Sequence, residues 1–277
     1  MSADRPDITG LAWGAHRRPC PHCDRGPRDR ALSVHVAADS GVWHCHRCGW
    51  SGHWRGDGAV PARAPTPARP SPAVRETLSP VGLALWAACD PIAGAAAAYL
   101  AARGCVTPPA DGDLRWHPRL RHPSGHVGPA LVGLVTHAET GAPMSLHRTW
   151  IGPDGRKADV DPPRLLLARH RARDGVIRLW PSAALAGELA VGEGVETCLA
   201  AAQAVTPVWS CIDAGNLSRL PVLDGIERLL VLVDHDAAGL RAAQLCVARW
   251  QADGRDVRLV VPPEPGTDVA DYAGGAS

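Results

Sequence analysis

Phenylalanine is absent from these 277 residues, and tyrosine and methionine occur twice each. Lysine occurs once against 28 arginines, a skew that reads as GC-rich coding bias and carries no function by itself. That one lysine lies in Gly155-Arg156-Lys157-Ala158, which is not the GxxxxGK[ST] phosphate loop, so an ATP-driven motor within this chain is excluded. No apolar stretch is long enough to span a bilayer; the small-residue run Ala93-Gly94-Ala95-Ala96-Ala97-Ala98 is too short and too weakly hydrophobic. No secretory leader is apparent, so a reducing compartment, the cytoplasm, is expected and disulfides are not. The length allows two or three domains.

What is present is unevenly spread. The net charge of +1 hides a gradient: residues 1–75 carry 11 basic and 6 acidic groups, residues 76–178 carry 12 and 9, and residues 179–277 carry 6 and 13. The basic front could hold a nucleic-acid backbone, whereas the acidic last third would repel one unless cations neutralised it.

Cys20-Pro21-His22-Cys23 and Cys45-His46-Arg47-Cys48 are two CxxC pairs, and two-residue spacers let each pair wrap one side of a tetrahedral Zn²⁺. Between them, Leu32–Val36 and Val42–Cys45 flank Ala38-Asp39-Ser40-Gly41, which has hairpin-turn chemistry. The reading is a zinc ribbon with Cys20, Cys23, Cys45 and Cys48 as ligands of a structural zinc. Four thiolates leave no open coordination position, so His22, His44 and His46 are expected on the surface of the knuckles. Arg17, Arg18, Arg25, Arg28, Arg30 and Arg47, with Trp43, Trp50 and Trp54, suit single-stranded nucleic acid. Trp43 is expected in the ribbon's small core, while Trp50 and Trp54 fit either role. Cys89, Cys105, Cys198, Cys211 and Cys246 stand singly in apolar contexts and are expected to be inert.

Residues 55–77, with Pro61, Pro65, Pro67, Pro70 and Pro72, read as an extended linker. Val81 to Cys89 and Ala93 to Arg103 are helical patterns, the second stopped by Gly104, expected to pack together as a small cap. From Leu114 to Leu179 the pattern turns to strands (114–116, 130–137, 143–151 and 175–179), with hairpin turns at Glu139-Thr140-Gly141 and Pro153-Asp154-Gly155.

The densest chemistry lies in the last third. Leu229-Leu230-Val231-Leu232-Val233 ends abruptly in Asp234-His235-Asp236, followed by Gly239 and a helical pattern. Such an apolar run reads as a strand buried on both faces of a parallel sheet, with the acids in the crevice at its carboxyl end. Leu189-Ala190-Val191-Gly192 ends likewise in Glu193-Gly194. Either acid alone could simply cap the helix after its strand. Together, on neighbouring parallel strands, Glu193, Asp234 and Asp236 would share one edge, where a hard cation such as Mg²⁺ offsets their charge.

These residues resemble a Toprim domain, the module shared by bacterial-type primases, topoisomerases and some nucleases. The resemblance covers residues 186–273: Glu193-Gly194-Val195-Glu196-Thr197, then Val208–Ile212 as a strand, Asp234-His235-Asp236 with Gly239, Asp256–Pro262, and Gly266-Thr267-Asp268-Val269-Ala270-Asp271-Tyr272. Glu196 and the tail motif are closer to the phage and plasmid primase-like branch than to cellular primases, and make Glu196, Asp268 and Asp271 accessory acids. His147-Arg148-Thr149-Trp150, Asp154–Ala158 and Val176–Leu179 resemble the segment that precedes Toprim in that branch. It implies that Arg148, Lys157, Arg164 and Arg178 bind template or nucleotide, Arg148 and Lys157 foremost because turns adjoin them.

The expected organisation is therefore α/β: a zinc ribbon (1–54), a linker (55–77), a helical cap with a basic, strand-rich α+β primase-like domain (78–185), and a Rossmann-like Toprim domain with a parallel sheet (186–277). The function implied is primer synthesis on single-stranded DNA from nucleoside triphosphates, with Mg²⁺ or Mn²⁺ on Glu193, Asp234 and Asp236. A replicative helicase would be a separate partner. A topoisomerase needs a domain with a nucleophilic tyrosine, and Tyr99 and Tyr272 supply none. A metal-dependent nuclease and a non-catalytic accessory protein that binds single strands remain as alternatives.

Overall fold

A computed structural model of the chain describes residues 6–8, 10–23, 29–55 and 74–273. They fall into two compact units, residues 1–71 and 72–277. Most of the stretch expected as a linker, residues 56–73, lies outside the described residues. Its last part is fixed in the second unit, where Arg75 donates to the Arg169 carbonyl and accepts from Arg171 N–H, both at 2.8 Å.

The first unit is a four-stranded antiparallel meander, β1 (Gly14–Arg18), β2 (Leu32–Val36), β3 (Ser40–Cys45) and β4 (Ser51–Arg55), in sequential order. Alternation in β2 and β3 places Leu32, Val34, Val36, Trp43 and Cys45 inside, and Leu32 pairs with Cys45 across the hairpin. The tryptophans resolve into a packed row. Trp43 stacks near Trp54 (5.9 Å between centroids) and tilts against Trp50 (5.5 Å), and Trp50 stacks on His22 at 4.4 Å. Each ring in the β3–β4 pair lies over a glycine: Gly41 opposite Trp54, and Gly52 opposite Trp43. A Cβ at either glycine would overlap the facing ring. Trp50 and Trp54 thus serve the ribbon's core, although both stay half exposed.

The second unit begins with α1 (Pro80–Ala87) and α2 (Gly94–Ala102). Ser79 caps α1 by accepting from Gly82 N–H, and Pro80 at the first position needs no donor partner. The next sheet runs β5 (Leu114–Arg121), β6 (Val127–His137), β7 (Pro143–Trp150) and β8 (Arg164–Leu166), with the two-residue β9 (Gly175–Val176) on β6. Strand β8 was not expected from the sequence. The two helices do not form one cap. Central strand β6 is buried on both faces, with Ala130, Val132 and Leu134 on one and Leu131 and Val135 on the other. Leu85 and Trp86 of α1 cover the first face, and Ala96, Tyr99 and Leu100 of α2 cover the second.

The C-terminal sheet is built from β10 (Glu188–Gly192), β11 (Val208–Ser210), β12 (Arg228–Leu232) and β13 (Asp256–Val260), all parallel, in the order β11-β10-β12-β13. The connecting helices are α3 (Val195–Ala201), α4 (Ala214–Arg219) and α5 (Ala237–Ala252); α6 (Ala270–Ala273) follows β13. Parallel strands carry helices on both faces, so β10 and β12 read as near-continuous apolar runs. The strand order reverses between β10 and β12, which makes that boundary the sheet's topological switch point.

The two sheets of this unit share buried side chains. One core joins Tyr99, Leu100, Leu131, Val135 and Ile177 to Ala190, Val195, Cys198 and Leu199. Ile177 and Ser210 exchange backbone hydrogen bonds of 2.8 and 3.0 Å, linking the segment after β9 to β11.

Helix α5 starts hard against the end of β12, because a Cβ at Gly239 would collide with the Asp234 carbonyl oxygen. Gly239→Ala must therefore push the helix start away, at a cost of about 1–3 kcal/mol. A lowered urea midpoint is the expected reading, and an unchanged midpoint would refute the packing argument.

Candidate acidic centre and cysteine cluster

The register of β10 and β12 decides the centre. Gly192 pairs with Leu232, so Glu193 follows one strand end while Val233 and Asp234 follow the adjacent one. Ser210 Oγ donates to the Glu193 carbonyl at 2.7 Å and fixes the turn after β10. Asp236 serves as the cap of α5, its Oδ1 accepting from Ala238 and Gly239 N–H at 2.8 Å each. Capping does not account for Asp234, and accounts only in part for Glu193, whose carboxyl also accepts from Ala214 N–H at the start of α4. Gly194 occupies the cap position of α3, and both Glu193 Oε1 and Asp234 Oδ1 are buried without a hydrogen-bond partner. Unpartnered carboxylate oxygens in such a place are costly.

The electrostatics agree. Burial, then repulsion from Asp234, Asp236 and Asp213, lifts Glu193 from its ordinary 4.5 to about 8. Burial, then Asp268 and Asp236, lifts Asp234 to about 6, with Arg164 opposing. Glu193, Asp234 and Asp236, with Asp268 near, offer oxygen donors of the hard type that Mg²⁺ or Mn²⁺ takes, while among the described residues the group whose ligand atoms all lie within 4.8 Å of one another is that of the four cysteines.

Glu196 lies apart from that set. It is 5% exposed on α3, accepts a 2.9 Å hydrogen bond from Tyr99 Oη, and lies 3.5 Å from Lys157 Nζ. Burial alone would raise its pKa, but Lys157, Arg164 and Tyr99 outweigh it and hold the carboxyl at about 2. The chain's one lysine thus crosses from the β7–β8 connection to the helix that follows Glu193. Its own pKa is lowered by burial, against the pull of Glu196.

The remaining basic candidates divide. Arg164, exposed at the start of β8, is close enough for its charge to act on both Glu196 and Asp234. Arg148 is 9% exposed, donates to the Leu166 carbonyl at 2.9 Å and lies over Trp150. Arg178 is 8% exposed; it donates to Thr136 Oγ1 and to the His137 and Ala138 carbonyls, and stacks on Trp209 at 4.7 Å. Both guanidinium groups are buried, away from the exposed position expected of residues that bind template or nucleotide. The tail acids sit beside the centre: Asp268 Oδ1 accepts from Ala270 N–H at 2.7 Å, and Asp271 Oδ2 from Asp268 N–H at 2.9 Å.

In the first unit, the Sγ atoms of Cys20, Cys23, Cys45 and Cys48 all lie within 4.8 Å of one another. The Cys20–Cys48 and Cys23–Cys45 separations are 3.8 and 3.6 Å. Four sulfurs at Zn–S bond length around a tetrahedral ion stand about 3.8 Å apart, so the donor set fits Zn²⁺. Arg47 is held by Asp29 through two hydrogen bonds of 3.0 and 3.1 Å. Arg25 and Arg28 lie outside the described residues.

Comparison with known proteins agrees with this geometry. Residues 188–276 match the Toprim domain family, and the C-terminal sheet with its acids is a Toprim domain. Residues 78–179 match a domain of unknown function, DUF7146. The chain thus carries a Toprim domain at residues 188–276 and an N-terminal zinc-ribbon-like cysteine cluster. No curated protein matches it. Among solved structures it is similar to the zinc-binding and RNA polymerase domains of Aquifex aeolicus primase (16% identity, TM-score 0.44, covering 64% of this chain and 51% of that one). It is similar to a DNA primase domain from Pseudomonas aeruginosa (18%, 0.45, 70% and 73%) and to the primase fragment of the bacteriophage T7 primase-helicase protein (16%, 0.42, 92% and 92%). The chain spans about half the length of the Aquifex fragment.

Because Glu193 holds its proton more tightly folded than unfolded, the metal-free protein should lose stability as pH rises from about 4.5 to about 8. Glu193→Gln should flatten that decline, read as urea midpoints in EDTA across the window. A decline of equal slope in the variant would contradict the assignment.

Proposed function

We propose that the chain is a primase, a DNA-templated polymerase that joins ribonucleoside triphosphates into short primers on single-stranded DNA. The observation that carries this reading is the pair of orphan carboxylate oxygens, Glu193 Oε1 and Asp234 Oδ1, at the switch point of a Toprim sheet. Glu193, Asp234 and Asp236 would hold Mg²⁺ or Mn²⁺, which when bound supplies charge stabilisation for the attacking and leaving oxygens of a phosphoryl transfer. Glu193 would serve either as a further ligand or as the group that takes the proton of the attacking hydroxyl. Arg164, whose charge reaches Asp234, and Lys157, paired with Glu196 on α3, would bind the triphosphate and the template backbone, as charge-assisted partners of phosphate oxygens. Arg148 and Arg178 would act as framework, aligning β8 and the β9–β10 connection. In the ribbon, a structural Zn²⁺ on Cys20, Cys23, Cys45 and Cys48 would hold a surface that meets the template strand. A separate helicase would supply unwinding.

The test is incubation with single-stranded DNA, labelled ribonucleotides and Mg²⁺ or Mn²⁺. Short labelled oligomers are expected, and the Asp234→Ala, Asp236→Ala double variant should lose at least about 10³-fold, the scale of losing a key electrostatic group. Shortened DNA in place of labelled oligomers would mean a nuclease, and salt-sensitive binding alone an accessory protein. Purified protein should also carry one zinc per chain by elemental analysis. Cys48→Ser should lower that content and destabilise the ribbon, while a metal-free wild type with an intact ribbon would remove the zinc assignment.

A further inference from the structure

His235 stands between the two acids of Asp234-His235-Asp236, and nothing in the proposed chemistry uses it. Its contacts all lead to one place. The ring Nδ1 lies 2.7 Å from the Pro262 carbonyl oxygen, which can only accept, so Nδ1 carries the proton. The backbone repeats the attachment: His235 N–H donates to the Thr267 carbonyl at 2.9 Å, and its own carbonyl accepts from Gly266 N–H at 2.7 Å. Just below, Val233 N–H donates to the Val260 carbonyl at 2.9 Å, so β12 and β13 stay paired up to this point.

Residues 262–267 are therefore a loop fastened at both ends to a single residue of the acidic centre. Inside the loop, Thr267 Oγ1 donates to the Glu264 carbonyl at 2.6 Å and closes the turn. Asp268 comes next, the strongest charged influence on Asp234. Val269 and Ala270 then pack against the core that carries α3. The imidazole and the Thr267 hydroxyl are the side-chain parts of this short path to the tail acids, which ends where Val269 and Ala270 pack.

We propose that His235 is a positioning residue, a latch that fixes the 262–272 segment so that Asp268 stands against Asp234 and completes the carboxylate set. The proposal rests on the reading of those acids as a divalent-cation centre. It makes a distinction between the two ring nitrogens. An asparagine amide can place an N–H close to where histidine has Nδ1, whereas a glutamine amide reaches towards the position of Nε2. The latch thus requires His235→Asn to be the tolerated variant, and His235→Ala and His235→Gln the damaging ones. A metal ligand or proton carrier acting through Nε2 would give the reverse order for Asn and Gln.

Two measurements on the full chain test it. The first is hydrogen exchange of the amides in 266–272 without divalent cation. Loss of one hydrogen bond should speed exchange by about five- to tenfold in His235→Ala and His235→Gln, with His235→Asn near wild type. The second is Mn²⁺ affinity by calorimetry, expected to fall about tenfold in the two damaging variants, the scale seen when a partner behind a metal ligand is removed. Unchanged tail exchange in His235→Ala would overturn the latch outright. Faster exchange with unchanged Mn²⁺ affinity would overturn its link to the centre. A wild type that binds no Mn²⁺ but shows the expected exchange pattern would refute the cation-centre reading and leave the latch standing.

Discussion

Like charge crowded at a half-buried strand end is the constraint that organises this molecule. Parallel pairing of β10 and β12 forces Glu193 and Asp234 together, and the fold adds Asp236, Asp213 and Asp268 to their surroundings. A sheet covered by helices is stiff enough to hold acids where repulsion would otherwise spread them. Part of the load is relieved locally, since Asp236 and Asp213 each cap a helix. Arg164 offsets some of the rest, but two oxygens keep no partner. Frustration of this kind persists where a function uses it.

Much of this was legible in the sequence because it depends on short-range pattern. Buried parallel strands read as apolar runs, and the acid that ends each run needs no long-range knowledge to be found. The cysteine pairs carry their geometry in their spacing. What stayed hidden depends on partners far apart in the chain. Glu196 pairs with Tyr99 and Lys157, 97 and 39 residues away, so it reads as one more acid of the motif when its charge is in fact already matched. Arg148 and Arg178 read as groups offered to template or nucleotide. A guanidinium can bury itself when several carbonyls and an aromatic face receive it, and both found such seats. Strand β8 has three residues in a run of proline and arginine, too short to alternate. The helix pair was expected as one cap because α1 and α2 are apolar nearly all round, which says that a helix is covered but not by what.

The tryptophans illustrate a different limit. The sequence leaves Trp50 and Trp54 as either core or binding surface, and their ring contacts with Trp43 decide between them. Gly41 and Gly52 leave flat seats on the sheet, which large rings fill. A small module with few aliphatic side chains gains much of its buried area this way.

The shared core around Tyr99, Leu131, Ala190 and Leu199 has a bearing on how such a protein changes over time. Family resemblance divides the second unit between residues 179 and 188, yet the apolar contacts run straight across that divide. Either half passed on without the other would arrive with an open hydrophobic face and a stranded lysine or glutamate. In this chain a cut or an insertion at the seam would therefore disturb both halves, whereas parts added outside it would leave the shared core intact.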